Sequence, residues 1–266
     1  MGNRLEGKVA LVTGCGSVGP GWGNGKAISA LFAREGAKVF GCDIRLEAAE
    51  ETKRIITEEG GIADVMHCDV GSAADVEALV ARCVDLYGRI DVLVNNVGIV
   101  EVGGPVDYPQ EKWQRAFDVN VTSMFLACKH VIPHMLRQGG GSIVNIGSIA
   151  GIRYTGVPYL SYYTTKAATL GFSRAVALQY AKDHIRSNVI MPGLMNTPFV
   201  VGPLKEVYGG GNVDAMMEKR NGQCPMGHMG DAWDVAHAAL YLASDEAKYT
   251  TAAELVVDGG ITAKFA

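Results

Sequence analysis

Short apolar runs alternate with longer stretches of helical period along almost the whole chain, and few folds satisfy that rhythm. Strands are predicted at Val9 to Val12, Lys38 to Cys42, Ile62 to Cys68, Val92 to Val94, Ser142 to Ile146, Arg186 to Met191 and Glu254 to Val257. Strands that read as continuous apolar runs are buried on both faces, which is the condition of a parallel sheet covered by helices. Between the runs, Ile28/Leu31/Phe32 and Val76/Leu79/Val80/Cys83/Val84/Tyr87 recur at i, i+3, i+4 spacing, so each of these helices carries one apolar stripe towards the sheet. The expected fold class is α/β: a doubly wound parallel sheet of seven strands in a single domain.

With 266 residues and 48% hydrophobic content, the chain can bury one large core. A long helical segment is expected from about Glu111 to Arg137, kinked or locally opened at Pro133. The stretch from Asn196 to Asp231 lacks a clear rhythm and holds Gly209-Gly210-Gly211 in its middle. Long irregular insertions in compact domains are usually lids or binding loops, so residues 194–230 are read as a substrate lid.

The first strand runs into Thr13-Gly14-Cys15-Gly16-Ser17-Val18-Gly19-Pro20-Gly21-Trp22-Gly23-Asn24-Gly25, and a helical pattern starts at Lys26. A glycine-rich turn from strand into helix lets backbone N–H groups approach a pyrophosphate, while the helix N-terminus supplies partial positive charge. Asp43 ends the second strand 18 residues after Gly25, near the ~20 expected of an acid that binds an adenosine ribose. Its carboxylate would accept hydrogen bonds from a 2′-hydroxyl and repel a 2′-phosphate, which argues for NAD over NADP. Arg45 is the one nearby residue that could pair with a phosphate; a solvated surface arginine is the competing reading.

Tyr162 and Lys166 stand four apart ahead of Ala167, Leu170, Gly171 and Arg174, so both lie on one helix face. An ammonium beside a phenol favours phenolate and would draw the tyrosine pKa towards the range of a general acid/base. Alone, the pair reads better as a surface helix with an incidental Tyr and Lys. Its company changes that reading: the glycine turn, Asp69-Val70, Asn95-Asn96-Val97-Gly98, Asn120, Ser148, Tyr162/Lys166 and Pro192-Gly193 follow in one order.

That order resembles the short-chain dehydrogenase/reductase family over nearly the whole chain. The resemblance implies a Rossmann-type sheet of order 3-2-1-4-5-6-7 and a homotetramer. It also implies roles: Ser148 hydrogen-bonds the substrate oxygen, Tyr162 exchanges its proton, Lys166 lowers the tyrosine pKa and binds nicotinamide ribose, and Asn120 anchors a water in a proton relay. Cofactor contacts are expected from Gly14, Ser17, Gly23, Asn24, Gly25, Asp43, Asp69, Val70, Asn96, Gly98, Tyr162, Lys166, Pro192, Gly193 and Thr197. Three departures stand out: a glycine pattern stretched by about five residues, Val97 in place of alanine, and Ala252 in place of glycine after Thr251.

The implied activity is NAD-dependent interconversion of a secondary alcohol and a ketone. Met191, Met195, Met216, Met217, Met226 and Met229 cluster about the lid, and Tyr154, Tyr159, Phe199, Leu204 and Tyr208 add apolar bulk, which suggests a medium-sized apolar substrate. The alternatives are reduction of a carbon–carbon double bond and a non-catalytic dinucleotide sensor on the same fold. Double-bond reductases of this type usually space Tyr and Lys further apart, and a sensor needs no proton-handling residues.

Other partner classes find little support. A net charge of -4 offers no cationic field for nucleic acid or an anionic bilayer. No apolar run approaches the ~18 residues of a membrane span, and the start MGNRLEGK lacks a secretory pattern. The six cysteines are scattered without a C-x-x-C pair and read as reduced core thiols, so a cytoplasmic location is expected. His130 and His134 have i, i+4 spacing but no completing ligand, and the chemistry needs no metal.

Overall fold

The computed structural model describes residues 3–202 and 210–264. Its seven strands are β1 (Val9–Thr13), β2 (Lys38–Asp43), β3 (Ile62–His67), β4 (Val92–Asn95), β5 (Gly141–Ile146), β6 (Ile185–Pro192) and β7 (Glu254–Val257). They form one sheet of order β3-β2-β1-β4-β5-β6-β7, with every pair parallel.

Period-two alternation divides the core between the two faces. Ala10 and Val12 of β1, Val92 and Val94 of β4 and Val144 and Ile146 of β5 pack on one side. There they meet α1 (Asn24–Arg34) and α8 (Ala232–Ala243), through residues such as Ile28, Phe32, Val235 and Leu240. Val9 and Leu11, Leu93 and Ile143 point the other way, into a core shared with α3 (Ala73–Tyr87) and α5 (Ser123–Gln138). On the outer sides of the sheet lie α2 (Leu46–Glu58), which packs on β3, and α6 (Leu160–Tyr180), which packs on β6.

Two elements differ from expectation. The long helix is broken at a wide π turn, Asp118–Thr122, between α4 (Gln110–Phe117) and α5, and Pro133 lies inside α5 without ending it. Pro133 is on the exposed face, where the carbonyl it leaves without an N–H partner can reach water. The turn opens instead where Asn120 points inwards to bond the backbone at Ile99.

The segment without rhythm is partly helical. Residues 198–202 are helical, and α7 (Val213–Gln223) starts at Asn212, whose side chain accepts from the Ala215 N–H at 3.1 Å. Only Met216 and Arg220 of α7 are buried, one turn apart, so its apolar stripe is too narrow to show as a period. Leu204 and Tyr208 lie outside the described residues.

Candidate active site

At the carboxyl ends of the strands, where ligands bind in open α/β sheets, lies a cavity of about 320 Å³. Gly14, Ser17, Gly23, Asn24, Gly25, Asp43, Asp69, Val70, Asn96, Gly98, Ser148, Tyr162, Lys166, Pro192, Gly193 and Thr197 all line it. Asn120 does not: it stands behind the wall.

One end of the cavity is built from backbone. Gly14 has φ +65, and a Cβ at Gly25 would fall 1.9 Å from the Gly14 carbonyl oxygen, so strand and helix can approach this closely only through glycine. Helix α1 begins at Gly23 with no side-chain cap and no acidic residue in its first turn, which leaves its N–H groups for an anion in the cavity. The Asn24 Oδ1, a buried acceptor without a hydrogen-bond partner, sits at the same turn. Asp43 stands beside it, Oδ2 accepting from the Gly16 N–H at 3.1 Å and Oδ1 from the Arg45 N–H at 3.0 Å. These features fit a dinucleotide: N–H groups for its pyrophosphate and a carboxylate for its ribose.

The stretched glycine loop is pinned rather than loose. Trp22 packs on Trp233 with ring centroids 4.7 Å apart, and Lys26 stacks over Trp22 at 5.1 Å. Arg45, the residue that could have met a phosphate, donates through its guanidinium to the Val18 carbonyl at 3.2 Å and to the Ser17 carbonyl. Farther along the same wall, Asp69 pairs with Arg115 at 3.1 Å.

The other end holds the residues expected to handle the proton. Ser148, two residues after the end of β5, accepts from the Ala150 N–H at 3.1 Å, which fixes its hydroxyl at the start of a short turn. Tyr162 hydrogen-bonds Ser148; burial around its hydroxyl pushes its pKa up to about 12, and the Ser148 bond opposes this. Lys166 is only 3% exposed. Its Nζ donates to the Ile146 carbonyl at 2.7 Å and lies 5.6 Å from the Tyr162 ring centroid. Burial draws the Lys166 pKa down to about 8.

The net shift of Tyr162 is upward, because desolvation disfavours its charged form, and the same effect moves Lys166 downward. Asn120 receives the Ile99 N–H on Oδ1 at 2.7 Å and donates from Nδ2 to the Ile99 carbonyl at 2.9 Å and to Thr165 at 3.0 Å. It holds the strand-end loop against α6. Gly98 fits between, since a Cβ there would lie 3.3 Å from the Lys166 Nζ.

A family model described as enoyl-(acyl carrier protein) reductase matches residues 20–262. The chain belongs to the short-chain dehydrogenase/reductase family. It is 40% identical over 260 residues to 2,5-dichloro-2,5-cyclohexadiene-1,4-diol dehydrogenase LinX of Sphingobium indicum, covering 98% of each chain. To the 3-alpha-(or 20-beta)-hydroxysteroid dehydrogenase of Mycobacterium bovis it is 39% identical, covering 100% of this chain and 94% of that one. Among solved structures, a putative short-chain dehydrogenase/reductase from Burkholderia xenovorans superposes with a TM-score of 0.94 at 47% identity, over 99% of this chain and 100% of that one.

This short-chain dehydrogenase/reductase also has cavity residues that sequence reasoning passed over. Gly16, Arg115, Thr155 and Arg220 line the cavity. Gly16 was legible, since it lies in the glycine loop; a Cβ there would meet Ala48 at 2.6 Å. Arg115, Thr155 and Arg220 reach the cavity only by tertiary packing. Thr155 is held by Tyr163, whose hydroxyl lies 2.9 Å from its Oγ1, and by Tyr159. His134 bonds Arg137 at 2.8 Å.

Proposed function

We propose that this short-chain dehydrogenase/reductase is NAD(H)-dependent and interconverts a secondary alcohol and a ketone on a medium-sized substrate that is apolar around the reacting carbon. The observation that carries this reading is one cavity with Asp43 at one end and Ser148, Tyr162 and Lys166 at the other. When bound, the nicotinamide ring accepts or returns a hydride at the substrate carbon. Tyr162 takes the hydroxyl proton of the alcohol, or gives it to the carbonyl oxygen in the reverse direction. Ser148 donates a hydrogen bond to that oxygen throughout. Lys166 binds the ribose hydroxyls beside the nicotinamide, and its charge favours the phenolate as Tyr162 loses its proton. Asn120 anchors a water beyond Lys166 through which the proton leaves.

For the cofactor contacts we propose Gly14, Ser17, Gly23, Asn24 and Gly25 at the pyrophosphate and Asp43 at the adenosine ribose. Asp69 and Val70 flank adenine, Asn96 and Gly98 line the cleft, and Pro192, Gly193 and Thr197 seat the nicotinamide. The commitment of Arg45 to the Ser17 and Val18 carbonyls supports NAD over NADP. Residues 194–230 serve as the substrate lid, and the apolar contacts of Tyr159, Val200 and Met216 support an apolar chamber. We also propose a homotetramer, the assembly the family resemblance implies. The six free, buried cysteines fit a cytoplasmic protein.

A second reading, reduction of a carbon–carbon double bond, is favoured by the description of the matching family model. Against it stand the four-residue spacing of Tyr162 and Lys166 and the dehydrogenases among the relatives. The test follows the absorbance of reduced nicotinamide with NAD⁺ or NADP⁺ and a panel of secondary alcohols, repeated with Tyr162→Phe. Turnover with NAD⁺ is expected, falling by about 10²-fold to 10⁴-fold in the variant while NADH binding persists. Full turnover by the variant would sink the assignment.

A further inference from the structure

We propose that the substrate carries a carboxylate at the end remote from its reacting carbon, held by Arg153 and Lys264 in an outer cavity that adjoins the reaction chamber. The inference deepens the alcohol-dehydrogenase reading and rests on it. The outer cavity, also about 320 Å³, shares Ile149, Thr155 and Leu194 with the main one. Ile149 directly follows Ser148, so a molecule whose oxygen lies against Ser148 needs only to extend past this shared wall to enter the outer cavity.

Its lining is unlike that of the chamber. Arg153 and Lys264 line the outer cavity, and among the described residues no aspartate or glutamate does. Both cations are exposed, and neither takes part in the ion pairs among the described residues. Arg153 donates instead to main-chain carbonyls, to Ile152 at 3.0 Å and to Thr262 at 3.4 Å, which ties the turn after β5 to the C-terminal turn. The nearest acid along that turn, Asp258, already accepts the Gly260 and Thr262 N–H groups, each at 2.8 Å. Two cations thus face a concavity whose described walls carry no aspartate or glutamate. A guanidinium fork offers paired N–H donors that match a carboxylate, and an ammonium beside it adds charge without a geometric demand. A concave wall of one sign also draws an anion towards the chamber.

The test compares secondary hydroxy acids with their own amides, which keep the skeleton and remove the charge: 4-hydroxypentanoate, 5-hydroxyhexanoate and 4-hydroxycyclohexanecarboxylate. Each is measured with NAD⁺ in the native enzyme and in Arg153→Met/Lys264→Met. At least one acid is expected to exceed its amide in kcat/KM by about three- to thirtyfold, the range of two partly exposed ion pairs. The difference should lie in KM, shrink as salt is added and vanish in the double variant, with kcat/KM on the amide unchanged. Arg153→Met also gives up the bonds to the Ile152 and Thr262 carbonyls, so the unchanged kcat/KM on the amide is the control that the site keeps its shape. Amides equal to acids on every skeleton, or an acid preference that survives the double substitution, overturns the carboxylate subsite alone. No turnover of any alcohol with either cofactor overturns the dehydrogenase reading and this subsite with it.

Discussion

Replacing Lys166 with methionine should make the stability of this protein respond to pH differently, by an amount the buried charge dictates. The lysine titrates at about 8 in the folded protein against an ordinary 10.5, because burial disfavours its ammonium. Below the folded value both states are protonated and the penalty is complete. Between the two values the unfolded chain binds the proton and the folded chain does not, so stability rises with pH across that window. Moving from roughly pH 7 to roughly pH 10 should relieve about 2–3 kcal/mol in the native protein. Lys166→Met has no such group, and its loss of the bond to the Ile146 carbonyl is the same at both pH values. Chemical denaturation of both proteins at the two pH values measures the change, since all other titrating groups cancel in the difference. The native protein should gain on the variant by that amount as pH rises. A gap that stays constant to within about 0.5 kcal/mol would mean that Lys166 carries no desolvation penalty, and the electrostatic account of the site would fall.

Three further outcomes follow from particular contacts. Because burial holds the Tyr162 phenol at about 12, alcohol oxidation, which needs the phenolate, should quicken as pH rises through the alkaline range while ketone reduction does not; equal pH profiles for the two directions would contradict this. Asp43→Ser removes the carboxylate proposed to bind the adenosine ribose, and the ratio of kcat/KM for NAD⁺ over NADP⁺ should fall by about tenfold or more, the worth of one hydrogen bond to a charged group; an unchanged ratio would show that selectivity lies elsewhere. Ala252 is held at φ 59, a conformation that costs a non-glycine residue roughly 1 kcal/mol. Ala252→Gly should therefore raise the melting temperature by about 2 °C, and a fall would show that Ala252 packing outweighs its backbone strain.

The sheet was legible because burial on both faces writes itself into consecutive residues. Val9 and Leu11 belong to one core and Ala10 and Val12 to the other, so each strand shows as a solid apolar run. Helix α7 escaped the same reading because Met216 and Arg220 are its only buried residues and one of them is charged. Pro133 misled for a related reason: a proline in sequence carries no mark of the side it faces, and on the exposed side α5 absorbs it. The π turn is set by a tertiary bond from Asn120 to Ile99, which no local pattern announces.

The candidate site divides along the same physical line. Gly14, Asp43, Ser148, Pro192 and Gly193 sit at the ends of strands, where order along the chain becomes order along the cavity. Gly193 shows how strict that is, since a Cβ there would lie 2.5 Å from the Asp258 Cβ. Lys166 and Tyr162 were legible as a pair, but the direction of their pKa shifts was not. Spacing gives the distance between two charges, whereas desolvation depends on everything packed around them, and burial is the leading cause of both shifts. Arg153 and Lys264 mark the limit of sequence reasoning. In sequence each is one more surface cation, and only the fold brings them to a single wall and takes the nearby carboxylate of Asp258 into a turn. Because such convergence leaves no local signature, the part of the cavity proposed to select the substrate is the part least legible from the chain, while the part proposed to handle the hydride and proton is the most legible.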